Sequence, residues 1–172
     1  VFDAWMQVLR AVPGSVLWLL QDHDAAAGHL RREAAARGVD AARLVFAPRV
    51  AHDAHLARQP LAGLFLDTLP CGAHTTASDA LRMGVPLLAC LGAGFAGRVS
   101  ASLLTALELP ELIAPDLAAY AARAIELATQ PERLGALRER LAERVRTSRV
   151  FSPEDFRPGY EAALAALHAR GA

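Results

Sequence analysis

The feature that most limits the fold of this chain is a regular alternation of short apolar runs with helix-like segments. The runs are too short for buried helices and suit strands that are covered on both faces. Strands joined through helices at this spacing imply right-handed crossovers, so we predict an α/β fold with a parallel sheet, helices on both faces and further helices at the C-terminal end. We predict strands at residues 15–20, 44–47, 64–67, 85–90 and 112–114, and helices at residues 2–11, 24–37, 52–58, 75–83, 98–107, 116–129, 131–146 and 153–168.

Size and charge exclude several functions. A chain of 172 residues with 53% hydrophobic content supports one core, so we expect a single domain over residues 1–172. Eighteen basic and eighteen acidic residues cancel, which argues against nucleic acid or an anionic membrane as a partner. Two cysteines without metal-type spacing favour a reducing compartment, and no apolar stretch is long enough to span a bilayer. We therefore expect a cytoplasmic protein.

The stretch at residues 63–86 is the strongest candidate for a functional site. A short apolar run ends on Asp67, passes into a loop that contains Pro70 and Gly72, and opens a helix at His74-Thr75-Thr76. A strand, a polar loop and a helix start in this order aim unpaired backbone N–H groups and the positive end of a helix dipole at one place. Phosphate is the ligand that uses both features.

The side chains around this helix start have two interpretations. The hydroxyls of Thr75 and Thr76 can donate to diphosphate oxygens, Asp79 can accept from a ribose diol, and His74 lies beside them, so that together they describe a nucleotide site. The simpler alternative is a capping box, in which Thr76 and Asp79 satisfy each other's backbone N–H groups. The capping box alone would leave this helix with a purely structural role.

A second polar group follows the second predicted strand. His52 and His55 lie three residues apart on one face of a short helix, with Arg58 three residues further on. Two histidines at this spacing permit metal binding, but zinc sites use three or four protein ligands and no third ligand is evident. We therefore expect no metal site, and a planar imidazole that could face a nucleotide base.

The blocks VPGSVLWLL, FAPRVAHDAHLAR, FLDTLP, CGAHTTASDALRMGVP and GRVSASLLTALELPELIA, in this order, resemble the catalytic region of the O-linked N-acetylglucosamine transferases, in a bacterial form. The pattern C-x-x-H-T-T-x-x-D preceded by L-D-T is specific, and the similarity covers nearly the whole chain. The resemblance implies the Rossmann-like C-terminal lobe of a GT-B glycosyltransferase. Such enzymes are inverting and metal-independent, and they move N-acetylglucosamine from UDP-GlcNAc to Ser and Thr hydroxyls of proteins.

The resemblance also implies roles for individual residues. Thr75 and Thr76 are expected to contact the diphosphate and Asp79 the ribose hydroxyls, with His74 beside the phosphates. His55 is expected to pack on the uracil, and Arg58 to approach the same end of the nucleotide. His52 replaces a lysine that is usual in the family, which leaves its role on the base and ribose side open.

The resemblance further implies that parts of the enzyme lie outside this sequence. These are the first strand of the lobe, a phosphate-binding lysine, the N-terminal catalytic lobe and the helical repeats that present protein acceptors. We expect no catalytic residue within the 172 residues beyond a phosphate-side role of His74, and no sugar transfer by this piece alone. Two alternatives are another GT-B glycosyltransferase or UDP-sugar isomerase, and a non-catalytic interaction module.

Overall fold

The computed structural model describes residues 1–171 and shows eight helices and five strands within that range. The helices have the following bounds: α1 Phe2–Ala11, α2 Asp24–Ala36, α3 His52–Arg58, α4 Thr75–Arg82, α5 Val99–Ala106, α6 Leu117–Thr129, α7 Pro131–Thr147 and α8 Pro153–Gly171. The strands are β1 Leu17–Gln21, β2 Leu44–Pro48, β3 Phe65–Leu66, β4 Leu87–Cys90 and β5 Ile113–Ala114. The predicted α/β class, with parallel strands between helices, is confirmed.

The strands form two parallel sheets that are not hydrogen-bonded to each other. One sheet pairs β1 with β2, placing Leu17 opposite Leu44, and the other has the order β3-β4-β5. Leu66 of β3 nevertheless packs against the apolar cluster that contains Leu17 and Leu44, so the two sheets lie near each other in one fold. The structure thus divides the predicted parallel sheet between β1 and β3.

Several strand ends differ from the predicted ones for local reasons. Pro86 has no N–H to give to a ladder, so β4 begins at Leu87 rather than at residue 85. The N–H of Asp67 still donates to Leu88, but the side chain of Asp67 then bonds the following loop, and β3 covers only Phe65–Leu66. At the other edge, β5 is limited to Ile113–Ala114 by the 3-10 turn that precedes it.

The core consists of two apolar clusters, one beside each sheet. The larger one surrounds β4, whose four residues are all buried, and includes side chains of α4, α5, α6 and α7. The smaller one lies between β1, β2 and α2. Helix α1 contributes side chains to both clusters. Ala4 and Val8 belong to the larger one, and Met6 and Leu9 belong to the smaller one. This helix therefore joins the two halves of the fold.

The last helix is exposed along its length. Every residue from 153 to 170 is exposed, and α8 presents an apolar stripe made of Phe156, Tyr160, Leu164 and Leu167. The first two of these stack with ring centroids 5.7 Å apart. Among the described residues, no helix combines the length and the apolar character that a bilayer crossing requires.

Candidate functional site

The loop that follows β3 is fixed by the buried side chain of Asp67. Its Oδ1 accepts hydrogen bonds from the N–H of Thr68 at 2.8 Å and from the N–H of Ala73 at 2.7 Å. The side chain thereby ties together the two ends of a loop that contains Pro70 and Gly72. Because Ala73 is the residue before the N-cap of α4, this carboxylate sets where that helix begins.

A second loop, residues 91–98 after β4, packs backbone to backbone against the first. The N–H of Gly72 donates to the carbonyl of Ala96 at 2.8 Å, and a Cβ on Gly97 would lie 2.9 Å from the carbonyl oxygen of Pro70. Within the second loop, a Cβ on Gly92 would lie 2.8 Å from the Cα of Gly97. The ring of His74 joins this contact, with its Nε2 3.2 Å from the same Ala96 carbonyl. His74 is thus held beside the loop junction.

The N-terminus of α4 is open. The helix begins at Thr75 with His74 as its N-cap, and the first N–H that bonds back into the helix is that of Ser78, to His74 at 3.1 Å. The capping box suggested by the sequence is not formed, because Thr76 lies inside the first turn and no side chain caps this helix. Thr75 and Thr76 are exposed and Asp79 is half-buried. Within residues 1–171 their side chains make no hydrogen bond, and they are available to a ligand together with the first N–H groups of the helix.

On α3, the imidazole of His55 is held on both sides. Arg58 lies within hydrogen-bonding distance of its Nδ1, with Nη2 at 3.1 Å and Nε at 3.3 Å, and the carboxamide of Gln59 lies 2.9 Å from its Nε2. Arg58 also donates to the carbonyl of Pro48 and covers the ring of Trp18 at 5.5 Å. The predicted proximity of His55 and Arg58 is confirmed, and His52 is exposed at the first position of the helix.

The predicted site residues therefore form two groups. One group is on α3 and contains His55 and Arg58, with His52 one turn earlier, and the other is at the start of α4. Both helices follow the carboxyl ends of parallel strands, the position where open α/β sheets bind ligands. Two open grooves of about 440 Å³ and 350 Å³ lie elsewhere, at the start of α8 and near the ends of α5 and α7, and are not lined by these residues.

Two buried groups near the strand ends have raised pKa values. Burial raises the pKa of the Tyr120 phenol well above its ordinary value, against the smaller opposing effect of its hydrogen bond from Trp5. Burial likewise raises the pKa of the Cys90 thiol at the end of β4. Both groups therefore stay neutral at physiological pH. The Tyr120 hydroxyl donates to the carbonyl of Asp67 at 2.9 Å, so it supports the loop rather than reacting.

Two residues and one loop that shape the site are not among the site residues predicted from the sequence. These are Asp67, which the sequence places only at the end of an apolar run, Gln59 after α3, and the glycine-rich loop that carries Phe95. Phe95 is 82% exposed and meets the ring of His74 edge to face at 6.1 Å. The spacing of Gly92, Gly94 and Gly97 was the available signal, since glycine in such a loop often marks a close backbone approach.

Parallel strands that alternate with helices, and polar residues on the helices that follow the strand ends, define this chain as a Rossmann-like α/β protein. Comparison with known families narrows the class. The family model "Glycosyl transferase family 41" matches residues 1–158, and the chain belongs to that family. The resemblance to the O-linked N-acetylglucosamine transferases is confirmed.

Individual relatives agree with this assignment. The chain is 34% identical over 154 residues to a UDP-N-acetylglucosamine–peptide N-acetylglucosaminyltransferase of Caenorhabditis elegans, covering 90% of this chain and 13% of the relative. It is 35% identical over 154 residues to a probable enzyme of the same description, SEC, of Arabidopsis thaliana, covering 89% of this chain and 15% of the relative. The chain therefore spans less than a sixth of the length of either relative.

A solved structure is similar over almost the entire chain. It is the K341M mutant of the Thermobaculum terrenum O-GlcNAc transferase, with a TM-score of 0.87 and 31% sequence identity. The alignment covers 98% of this chain and 32% of that one. The fold described above is thus found within a larger glycosyltransferase.

Proposed function

We propose that this chain is the donor-binding part of a glycosyltransferase that moves N-acetylglucosamine from UDP-GlcNAc to Ser and Thr hydroxyls of proteins. The observation that carries the proposal is the open start of α4 in a chain of glycosyl transferase family 41. There the hydroxyls of Thr75 and Thr76 and the first helical N–H groups are free of intrahelical partners, as a diphosphate site requires.

The proposed roles follow from chemistry and position. Thr75 and Thr76 donate to the diphosphate, and His74 lies on the phosphate side, held by Ala96. Asp79, one turn into α4, accepts from the ribose hydroxyls. On α3, His55 presents a flat ring to the uracil, with Arg58 beside it and His52 on the base and ribose side.

The proposed reaction is a single displacement at the sugar carbon, with inversion. The acceptor oxygen forms the new bond to that carbon, and the bond from the carbon to the diphosphate oxygen breaks with its electron pair leaving on UDP. The acceptor hydroxyl gives its proton to a base that we place outside these 172 residues. The departing UDP gains negative charge, and we propose that backbone dipoles and hydroxyls at the start of α4 stabilise it without a metal ion. Positioned donors of this kind need no reorganisation when the charge develops.

We further propose that the chain acts within a longer polypeptide that supplies the remaining catalytic groups and binds the protein acceptor. The division of the sheet supports this proposal, because β1 and β3 have edges whose N–H and C=O groups are unpaired in the described residues. A further parallel strand between them would join the two sheets. On this proposal the enzyme acts in the cytoplasm, and the 172 residues alone give no transfer in a radiolabelled-sugar assay.

Calorimetric titration of the longer polypeptide with UDP tests the proposal. We expect binding by the unmodified enzyme and a loss of affinity on the order of tenfold or more for Asp79→Ala, since a charged acceptor for two hydroxyls is removed. The melting temperature of this variant should not change, because the side chain of Asp79 makes no hydrogen bond within residues 1–171. Absence of UDP binding by the unmodified enzyme would refute the proposal.

Asp116→Ala is the matched control. Asp116 is a genuine helix cap, because its carboxylate accepts the N–H of Ala119 at 2.8 Å. This variant should lower the melting temperature and leave the UDP affinity unchanged. If Asp79→Ala behaves in the same way as Asp116→Ala, the interaction-module alternative is favoured. Stronger binding of UDP-glucose than of UDP-GlcNAc would favour a different sugar-nucleotide enzyme.

A further inference from the structure

We infer that Asp67 is a positioning residue that holds the diphosphate-binding loop in its working shape without touching the ligand. The inference rests on the proposed function and deepens it. Asp67 is 4% exposed, and its carboxylate lies at the end of β3, below the loop rather than on its surface. A buried carboxylate normally requires a cation or several hydrogen-bond donors. Here no ion pair to Asp67 is found among the described residues, and the donors are backbone N–H groups.

The hydrogen bonds of Asp67 close the loop at both ends. One acceptor atom, Oδ1, receives the N–H of the next residue and the N–H of Ala73, six residues away. Bonds from N–H groups to a charged carboxylate are stronger than those between neutral groups. The position of Ala73 is thus defined relative to the end of β3, and the N-cap of α4 follows directly.

The rest of the loop is bonded so that little freedom remains. The Ser100 hydroxyl donates to the carbonyl of Ala73 at 2.8 Å, and the Thr68 hydroxyl donates to the carbonyl of Cys71 at 2.7 Å. Tyr120 donates to the carbonyl of Asp67 itself. Asp67 is the one member of this set whose side chain reaches both ends of the loop. Its loss should therefore release Ala73 and the first turn of α4 together.

The loop leaves little room beside the carboxylate of Asp67. A Cβ added to Gly72 would lie 3.0 Å from Oδ2 of Asp67 and 3.3 Å from the carbonyl oxygen of Ala96. The loop therefore passes over the carboxylate with glycine at a position where a side chain would crowd Oδ2. This packing agrees with a role of Asp67 in fixing the path of the backbone. Thr75 and Thr76 remain exposed to solvent.

The test compares two ligands, UDP and uridine, by NMR titration of the longer polypeptide. Uridine carries the base and the ribose without the phosphates, so a change confined to the phosphate loop affects only UDP. For Asp67→Ala we expect the UDP affinity to fall about tenfold or more and the uridine affinity to change by less than about threefold. For Asp67→Asn, whose amide oxygen can accept the same two N–H groups, we expect UDP affinity within about threefold of the unmodified enzyme.

Asp40→Ala is the control for removing an aspartate that bonds a backbone N–H. Asp40 accepts the N–H of Ala42 at 2.9 Å in the 3-10 turn before β2 and should leave both affinities unchanged. Equal losses for UDP and uridine in Asp67→Ala would overturn the inference, as would a loss in Asp67→Asn as large as in Asp67→Ala. Failure of the unmodified enzyme to bind UDP would instead refute the proposed function, so the two results are distinguishable.

Discussion

Arg58 places the Nη2 of its guanidinium 3.1 Å from Nδ1 of His55. Arginine has only donors, so this imidazole nitrogen must be the acceptor, and in the neutral ring the proton is then on Nε2. The side-chain nitrogen of Gln59 lies 2.9 Å from Nε2. Because a protonated Nε2 needs an acceptor, we expect the carboxamide to be turned so that its oxygen faces this nitrogen. Both neighbours thus hold the ring through its nitrogens, and hydrogen bonds of this kind do not occupy the faces on which we propose that the base stacks.

Removing the carboxamide of Gln59 should loosen this ring. Gln59 is 7% exposed, so Gln59→Leu keeps the volume and loses the acceptor. We expect UDP affinity to fall about threefold to tenfold, the equivalent of one hydrogen bond. In long-range proton–nitrogen NMR spectra, His55 of the unmodified protein should show the tautomer protonated at Nε2. Gln130→Leu, at an exposed position, is the control. An Nδ1-protonated ring, or unchanged affinity for Gln59→Leu, would contradict the assignment.

The helices and the order of elements could be predicted from the sequence because they depend on local signals. Periodicity located α1, α6 and α7 closely, and positions with special backbone chemistry marked several helix ends, as Gly38 and Gly84 do with φ of +74° and +76°. The pairing of His55 with Arg58 was predictable for the same reason, since residues three apart on a helix are neighbours.

Relationships between distant residues could not be predicted in this way. Asp67 accepts a hydrogen bond from Ala73 across a loop, and Tyr120 on α6 donates to the carbonyl of Asp67. Neither contact follows a periodic pattern in the sequence. The division of the sheet between β1 and β3 has no local signal either, because each strand alone has an ordinary apolar pattern. It is nevertheless what the resemblance implies, since the resemblance puts the first strand of the lobe outside this sequence. The proposed contacts with UDP remain predictions, and the titrations above are what can decide them.

The close approach of the two strand-end loops predicts different costs for two neighbouring glycines. A Cβ on Gly97 would lie 2.9 Å from the carbonyl oxygen of Pro70, whereas a Cβ on Gly94 would have nothing within 4 Å. Gly97→Ala should therefore lower the free energy of unfolding by about 1–3 kcal/mol, since backbone atoms must move. Gly94→Ala should stay within about 0.5 kcal/mol. Equal denaturant midpoints for the two variants would show that the loops can separate without cost.

The ion pairs of Arg37 predict how stability depends on pH. Hydrogen bonds and charge from Arg37 lower the pKa of both Asp3 and Glu33 below their ordinary values of 3.8 and 4.5. Groups with a lowered folded pKa stabilise the protein above the unfolded pKa, and this contribution is lost as the pH falls through the folded pKa. Arg37→Gln should therefore destabilise at pH 6 and have a smaller effect near pH 3, in urea unfolding curves. Because Asp3 is exposed and Arg37 and Glu33 are only half-buried, the effect should be small, and it should shrink further with added salt.

Arg149→Gln serves as the control for that series. Arg149 is exposed and forms no ion pair among residues 1–171, so its replacement should change stability equally little at both pH values. If the effect of Arg37→Gln were as large near pH 3 as at pH 6, the carboxylates would not be its source. The source would then be the contacts of the guanidinium that do not involve a carboxylate: the ring of Phe2 at 5.4 Å and the carbonyl of Glu33 at 3.0 Å.

The buried hydroxyl of Tyr120 gives the last prediction. It accepts from Trp5 Nε1 at 3.1 Å and donates to the Asp67 carbonyl at 2.9 Å, linking α1, α6 and the end of β3. Tyr120→Phe leaves both partners without their bond in a fully buried place, so the free energy of unfolding should fall by about 1–3 kcal/mol. Tyr160→Phe, at a site that is 54% exposed, should change it by less than about 0.5 kcal/mol. Equal stability of Tyr120→Phe and the unmodified protein in denaturant unfolding would mean that water replaces the hydroxyl, and that this link does not hold the loop.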